Sequence, residues 1–164
     1  MNDEHYMGLA LAEAKISYNR EDLPVGAVLT IDGMFIGSTG NSANTRDDWT
    51  SHAEYSLINQ LSRAIKTRKS GWATLYTTWE PCLMCMGSSV LSRVSEIVYA
   101  LPDPIGGVAR LDPKNIGGWY EKKWPRIKEG PLGDESFNLL EKFMMEHHER
   151  WGDFLVKLRR GLGK

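Results

Sequence analysis

Hydrophobic and polar positions along this chain follow two periods, and the switches between them mark its elements. Residues 3–18 carry Leu9, Ala12 and Ile16 at helical spacing, which predicts a helix with these three on its buried face and Asn2 or Asp3 as its cap. LPVGAVLTIDGMFIGSTGN, from Leu23, reads as a β-hairpin: a strand from Val25 to Ile31, the turn Asp32-Gly33, and a return strand from Met34 to Ser38. Residues 41–51 are polar and predict a loop. From about Ser51 to Lys66, Ala53, Leu57, Ile58, Leu61 and Ile65 share one helical face. ATLYTT (73–78) and EIVYA (96–100) read as strands. Between them a helix runs to about Ser92, with Pro81 in its first turn. Residues 102–133 are rich in Gly and Pro and predict an ordered loop region. A long helix follows from Asp134 to about Trp151, and Asp153 to Arg160 continues it or forms another.

Strand, helix, strand, helix, strand implies an α/β domain, a mixed sheet with helices packed on its faces. A length of 164 residues makes residues 1–164 a single domain. No apolar run is long enough to span a membrane. The N-terminus is acidic and amphipathic, unlike a secretory leader, so a cytoplasmic protein is expected. Lys plus Arg is 20 and Asp plus Glu is 21, a net charge of −1. This balance argues against a nucleic-acid partner, since phosphate neutralisation supplies much of such a protein's affinity. The basic clusters, KTRK (66–69) and KLRRGLGK (157–164), stand near Glu141, Glu146, Glu149 and Asp153, which would repel phosphate.

The two cysteines, Cys82 and Cys85, form a C-x-x-C pair, which in a cytosolic chain points to metal or redox chemistry. Two thiolates and the imidazole of His52 make three zinc donors, leaving a fourth tetrahedral position for water, as catalytic sites do. Cys82 and Cys85 lie one helical turn apart, so their sulfurs share a face. Glu54, two residues from His52, points elsewhere and is placed to meet the metal-bound water. Ser51-x-x-Glu54 also fits a capping box; Ser51 can serve structure while Glu54 serves chemistry.

H-x-E followed by P-C-x-x-C is the signature of zinc nucleobase deaminases. With LPVGAVL (23–29), Asn41, SHAE (51–54), TLYTTWEPCLMCMG (74–87) and SRVSEIVYA (92–100), the chain resembles the cytidine-deaminase-like superfamily over residues from about 4 to 110. Within it, the chain is similar to bacterial tRNA adenosine deaminases and to small guanine or cytosine deaminases. The resemblance implies a three-layer fold, a five-stranded mixed sheet with helices on both faces. It implies one zinc ion held by His52, Cys82 and Cys85, with Glu54 as proton shuttle. It also implies that Asn41 bonds the substrate ring, that the N–H groups of Ala53 and Glu54 contact the base, and that the Glu80 carbonyl holds the leaving amine. Val25 would lie near the pocket floor, and Trp79 is a further candidate for substrate binding. The family is generally dimeric or larger, so a homodimer is expected.

Departures from the tRNA-editing pattern bear on the substrate. Asp48-Trp49-Thr50-Ser51 stands where D-P-T precedes the histidine motif, PDPIGGVARLDP (102–113) replaces a K-T-G-A-like stretch, and Trp79 takes a position commonly small or aliphatic. The expectation is therefore hydrolytic release of ammonia from a small N-heterocycle: a free base, a nucleoside or an aminotriazine-like ring. The alternatives are a tRNA-specific adenosine deaminase and a non-catalytic zinc module, which would want a fourth protein ligand such as His147 or His148. Residues 110–164 are a candidate lid, with Trp119, Tyr120, Trp124 and Phe137 available to stack on a flat ring.

Overall fold

A computed structural model of the chain describes residues 3–67 and 71–164. Helix α1 (Asp3–Asn19) leads into strand β1 (Gly26–Ile31) and its hairpin partner β2 (Met34–Gly40). Then follow α2 (Ala53–Thr67), β3 (Ala73–Trp79), α3 (Leu83–Leu91) and β4 (Glu96–Leu101). The remainder holds a short α4 (Gly118–Glu121), β5 (Arg126–Glu129), α5 (Gly133–Glu146) and α6 (His148–Leu162). The five strands form one mixed sheet in the order β2-β1-β3-β4-β5. β1 is antiparallel to β2 and β3, whereas β3, β4 and β5 run parallel. The hairpin turns at Asp32-Gly33, both at positive φ (52° and 71°), the type I′ geometry that follows the sheet's twist.

Both faces of the sheet are covered, which is why β1 and β3 are buried along their whole length. Val28, Tyr76 and Val98 point to α1, where Tyr6, Met7 and Ala10 meet them. Their strand neighbours Leu29, Leu75 and Ile97 point the other way, to Leu57 and Ile58 of α2 and Met86 of α3. Leu140, Met144, Leu155 and Leu158 of α5 and α6 extend that second cluster.

The helix expected over 3–18 forms, but it buries a different face. Tyr6, Met7, Ala10, Leu11 and Ala14 are inside, while Leu9 and Ile16 are 36% and 48% exposed and Ala12 faces solvent. Close approach decides it. A Cβ on Gly26 would lie 2.0 Å from the Ala10 carbonyl oxygen, and one on Gly40 would lie 2.1 Å from Ser17 Oγ. Opposite those glycines the helix therefore carries small residues, Ala10, Ala14 and Ser17. Asn2 lies outside the described residues, and Asp3 is no cap but the first helical residue. Its carboxylate accepts from Tyr76 Oη (3.1 Å) and pairs with Lys128 (2.7 Å).

Other boundaries also shift. The return strand reaches Gly40, and α2 starts at Ala53 rather than Ser51. Ser51 does not close a capping box; its hydroxyl donates to Asp48 Oδ2 (2.8 Å). Pro81 precedes the cap of α3, which is Cys82 itself. The expected loop region hides β5, a charged edge strand whose RIKE sequence has no apolar run to announce it. Its basic residues bond instead with acids, Arg126 with Glu96 and Lys128 with both Asp3 and Glu96. The helix expected from 134 to 151 breaks at His147 (φ −113°, ψ 39°), whose ring stacks on Phe143 at 4.3 Å.

Candidate active site

Two helix N-termini meet beyond the carboxyl end of β3. One belongs to α2, preceded by His52; the other belongs to α3, capped by Cys82. The loop that delivers His52 is tied down by Asp22. This buried carboxylate accepts from the N–H groups of Asn44 (2.8 Å) and Thr45 (3.0 Å) and from the Thr45 hydroxyl (2.8 Å). His52 Nδ1 lies 3.5 Å from Cys82 Sγ and 3.6 Å from Cys85 Sγ. The three donor atoms all fall within 4.8 Å of one another, and among the described residues no other His, Cys, Asp or Glu joins them. This donor set fits zinc and leaves one tetrahedral position open. His147, a candidate fourth ligand, has its Nδ1 2.9 Å from the Phe143 carbonyl oxygen.

The three donors share their protons. The Cys82 thiol is lowered to about 4, chiefly because Cys85 hydrogen-bonds to it, with His52 adding to the effect. The same bond, with burial, pushes the Cys85 thiol up. His52 is raised, first by its hydrogen bond to Cys82.

Glu54 is 4% exposed, and burial raises its carboxyl above the ordinary 4.5. Its Oε2 accepts from Cys85 Sγ at 3.5 Å, and its Oε1 lies 3.2 Å from Thr77 Oγ1. That hydroxyl is also 3.1 Å from the Trp79 carbonyl. A hydroxyl has one hydrogen to give. When the Trp79 carbonyl takes it, Thr77 can accept from a protonated Glu54, which gives the carboxyl a seat in both states.

A cavity of about 220 Å³ opens over this group, lined by Val25, Asn41, His52, Glu54, Glu80 and Cys82. Ala53 is buried at the first turn of α2, where the Ala53 and Glu54 N–H groups precede the intrahelical ladder. Asn41 Oδ1 accepts from the Ala43 N–H (3.0 Å), so its amide nitrogen is what it can offer a ligand. The Glu80 carboxylate faces away from that task. It accepts from the N–H groups of Asp103 (2.7 Å) and Ala109 (2.8 Å) and so clamps the segment after β4.

Trp79 lines the cavity too, and its buried indole N–H finds no hydrogen-bond partner among the described residues. Opposite stands α6, which supplies Trp151 and Phe154. Phe154 meets Trp79 edge-on at 5.9 Å and Trp151 edge-on at 5.8 Å. The aromatic wall is therefore not the one expected. Trp119 and Tyr120 pack on each other at 5.3 Å, Phe137 is core, and Trp124 packs against the core. The C-terminal segment reaches the cavity through α6, whose Trp151 and Phe154 line it. The sequence signal for it was the spacing Trp151-x-x-Phe154, which puts both rings on one helical face.

The fold and this donor set define a zinc-dependent deaminase. The chain belongs to the family described as the cytidine and deoxycytidylate deaminase zinc-binding region, whose model matches residues 1–101. It is 43% identical over 144 residues to a tRNA-specific adenosine deaminase of Bacillus subtilis, covering 88% of this chain and 89% of that one. It is 33% identical over 142 residues to a tRNA-specific adenosine deaminase of Agrobacterium fabrum, covering 87% and 93%. A solved structure from work on tRNA:A34 deaminases superposes with a TM-score of 0.73 at 34% identity, over 84% of this chain and 99% of that one. A guanine deaminase from Nitrosomonas europaea superposes with a TM-score of 0.69, over 84% and 82% of the two chains. At 20% identity it shares the fold alone. No described helix is long and apolar enough to cross a membrane.

Proposed function

We propose that this enzyme is a tRNA-specific adenosine deaminase, converting adenosine to inosine with release of ammonia. The geometric observation that carries the deaminase chemistry is the buried Glu54 carboxylate beside a three-donor zinc site, at the base of a cavity of about 220 Å³. The choice of tRNA rests on the two relatives of that activity, similar over nearly nine-tenths of this chain. It reverses the expectation of a small free substrate.

Bound zinc supplies Lewis acidity that makes water a nucleophile near neutral pH. Glu54 removes the proton from that water on a carboxylate oxygen. It returns this proton to the ring nitrogen beside the attacked carbon, and then moves the hydroxyl proton to the departing amine. The new C–O bond becomes a carbonyl as the C–N bond breaks. Asn41 orients the ring through its amide nitrogen. The N–H groups of Ala53 and Glu54 contact the base, and the Glu80 carbonyl accepts from the leaving amine. Val25 forms the floor and Trp79 a wall. The enzyme works in the cytoplasm and, as the family resemblance implies, as a homodimer; sedimentation of the zinc-loaded protein tests the latter.

A second reading, a free heterocycle as substrate, is favoured by α6. Its Trp151 and Phe154 line the cavity, and two cations of the basic tail are paired internally, Arg159 with Glu141 and Lys164 with Asp134, each at 2.7 Å. Ammonia release by zinc-loaded protein separates the two. We expect turnover on an anticodon stem-loop. Turnover on adenine, guanine, cytosine, their nucleosides or aminotriazines, with none on the stem-loop, would put the second reading first.

A further inference from the structure

We infer that Trp49 is a stacking platform for the nucleobase next to the one that enters the cavity, an inference that rests on RNA being the substrate. Trp49 stands three residues before His52 and is 79% exposed, the most exposed of the chain's large hydrophobic side chains among the described residues. A large indole left in water, one guanidinium away from the cavity wall, is a surface that binding would use. The Arg150 guanidinium lies over its ring at 5.2 Å and over the ring of Trp151 at 5.3 Å. Trp151 is itself part of the cavity wall. Indole, guanidinium and indole thus make a continuous path from the cavity to the surface. Arg150 also donates to Asn44 Oδ1 at 3.2 Å, which holds it to the loop that carries Trp49. The carboxylate of Asp48, next to Trp49, is occupied by Thr50 and Ser51.

A base that enters the cavity is pulled out of its strand, so its neighbour loses a stacking partner. A flat, sequence-tolerant aromatic face beside the cavity replaces that partner, because every base has a π-face. Guanidinium planes serve single-stranded RNA in the same way. Trp49 therefore adds affinity for a strand without reading the neighbour's identity.

The test is a binding cycle in zinc-loaded Glu54→Gln protein, which holds RNA without turning it over. Its ligand is an anticodon stem-loop with one target adenosine, intact or abasic at one flanking nucleotide. Trp49→Ala weakens binding of the intact stem-loop about tenfold, the worth of one base–aromatic stack, and Trp49→Phe keeps most of the affinity. On the RNA abasic at the stacked flank, Trp49→Ala costs nothing further. Equal affinity of the Trp49→Ala protein and its parent for intact RNA overturns the platform and leaves the RNA reading standing. Equal losses on intact RNA and on both abasic RNAs also overturn it, because Trp49 then only latches α6 to the loop. A parent that neither binds nor, with Glu54 restored, deaminates the stem-loop overturns the RNA reading itself.

Discussion

In the proposed mechanism Glu54 concentrates the chemistry in one side chain. The three metal donors cluster without it, while under the proposed mechanism the proton transfers all pass through its carboxylate. Glu54→Gln is thus expected to bind one zinc per chain, by metal analysis, while kcat falls roughly 100-fold or more, the usual worth of a positioned acid–base group. Asp3 shows the opposite kind of carboxylate. Burial by itself pushes its carboxyl up. Hydrogen bonds from Lys128 and Tyr76 and the charges of Lys128 and Arg126 outweigh this and hold it below the ordinary 3.8. The unfolded chain keeps the ordinary value. The stability Asp3 contributes is then complete above pH 3.8 and is lost as pH falls through the lowered folded value. Lys128→Met removes part of the pull, so the acid-unfolding midpoint followed by circular dichroism moves to higher pH. The move is small, because both partners are about a third exposed (34% and 36%). Residues of the first kind were legible in the sequence, since His52, Glu54, Cys82 and Cys85 sit in two short motifs whose spacing is set by local helix geometry. The partners of Asp3 were not, because Tyr76 and Lys128 reach it only through the register of the sheet.

At the scale of elements, the segment after β4 does more than connect. The Glu80 carboxylate gathers it back by two backbone N–H groups, and Gly107 makes the turn possible. A Cβ there would lie 2.3 Å from Glu80 Cδ and 2.6 Å from the Asp103 carbonyl oxygen. Gly107→Ala must move the clamp or the backbone, at about 1–3 kcal/mol, the usual cost of overpacking. Urea unfolding checks this, with Gly118→Ala as control, since a Cβ there meets nothing within 4 Å. The sequence could not show this clamp, for a Gly- and Pro-rich stretch carries no period. The same limit concealed β5, whose pairing with β4 is made by backbone and whose side chains are mostly charged. On α1 the period was present but ambiguous. Leu9, Ala12 and Ile16 satisfy helical spacing as well as the face the structure buries, and only the glycines of the facing hairpin choose between them. By contrast α2 was read correctly from Leu57, Ile58 and Ile65, because its apolar stripe has no rival.

For the molecule as a whole, the proposed tRNA substrate would make net charge a poor guide. A value of −1 averages over the surface, whereas a cavity of about 220 Å³ and one exposed indole are local. The zinc site, conversely, has a global consequence. Its donors come from the starts of two different helices, α2 and α3, so the metal would staple those two elements together. An ion that binds the folded chain and not the unfolded one adds stability by mass action, about 4 kcal/mol at a thousandfold excess over its Kd. For a domain of this size that corresponds to a Tm shift of roughly 10 °C. Chelation should lower Tm by about that amount, read by calorimetry, and readdition of zinc should restore it. The effect has a defined pH sense. Cys82 is already poised as a thiolate, with its thiol lowered to about 4, while Cys85 is pushed up and must give up its proton when metal binds. Zinc affinity therefore falls as pH falls, and the gap in Tm between zinc-loaded and chelated protein narrows from pH 8 to pH 6. His52→Ala removes one donor and should shrink the gap at both pH values. A gap that is unchanged by His52→Ala would show that the zinc which stabilises the fold is held elsewhere.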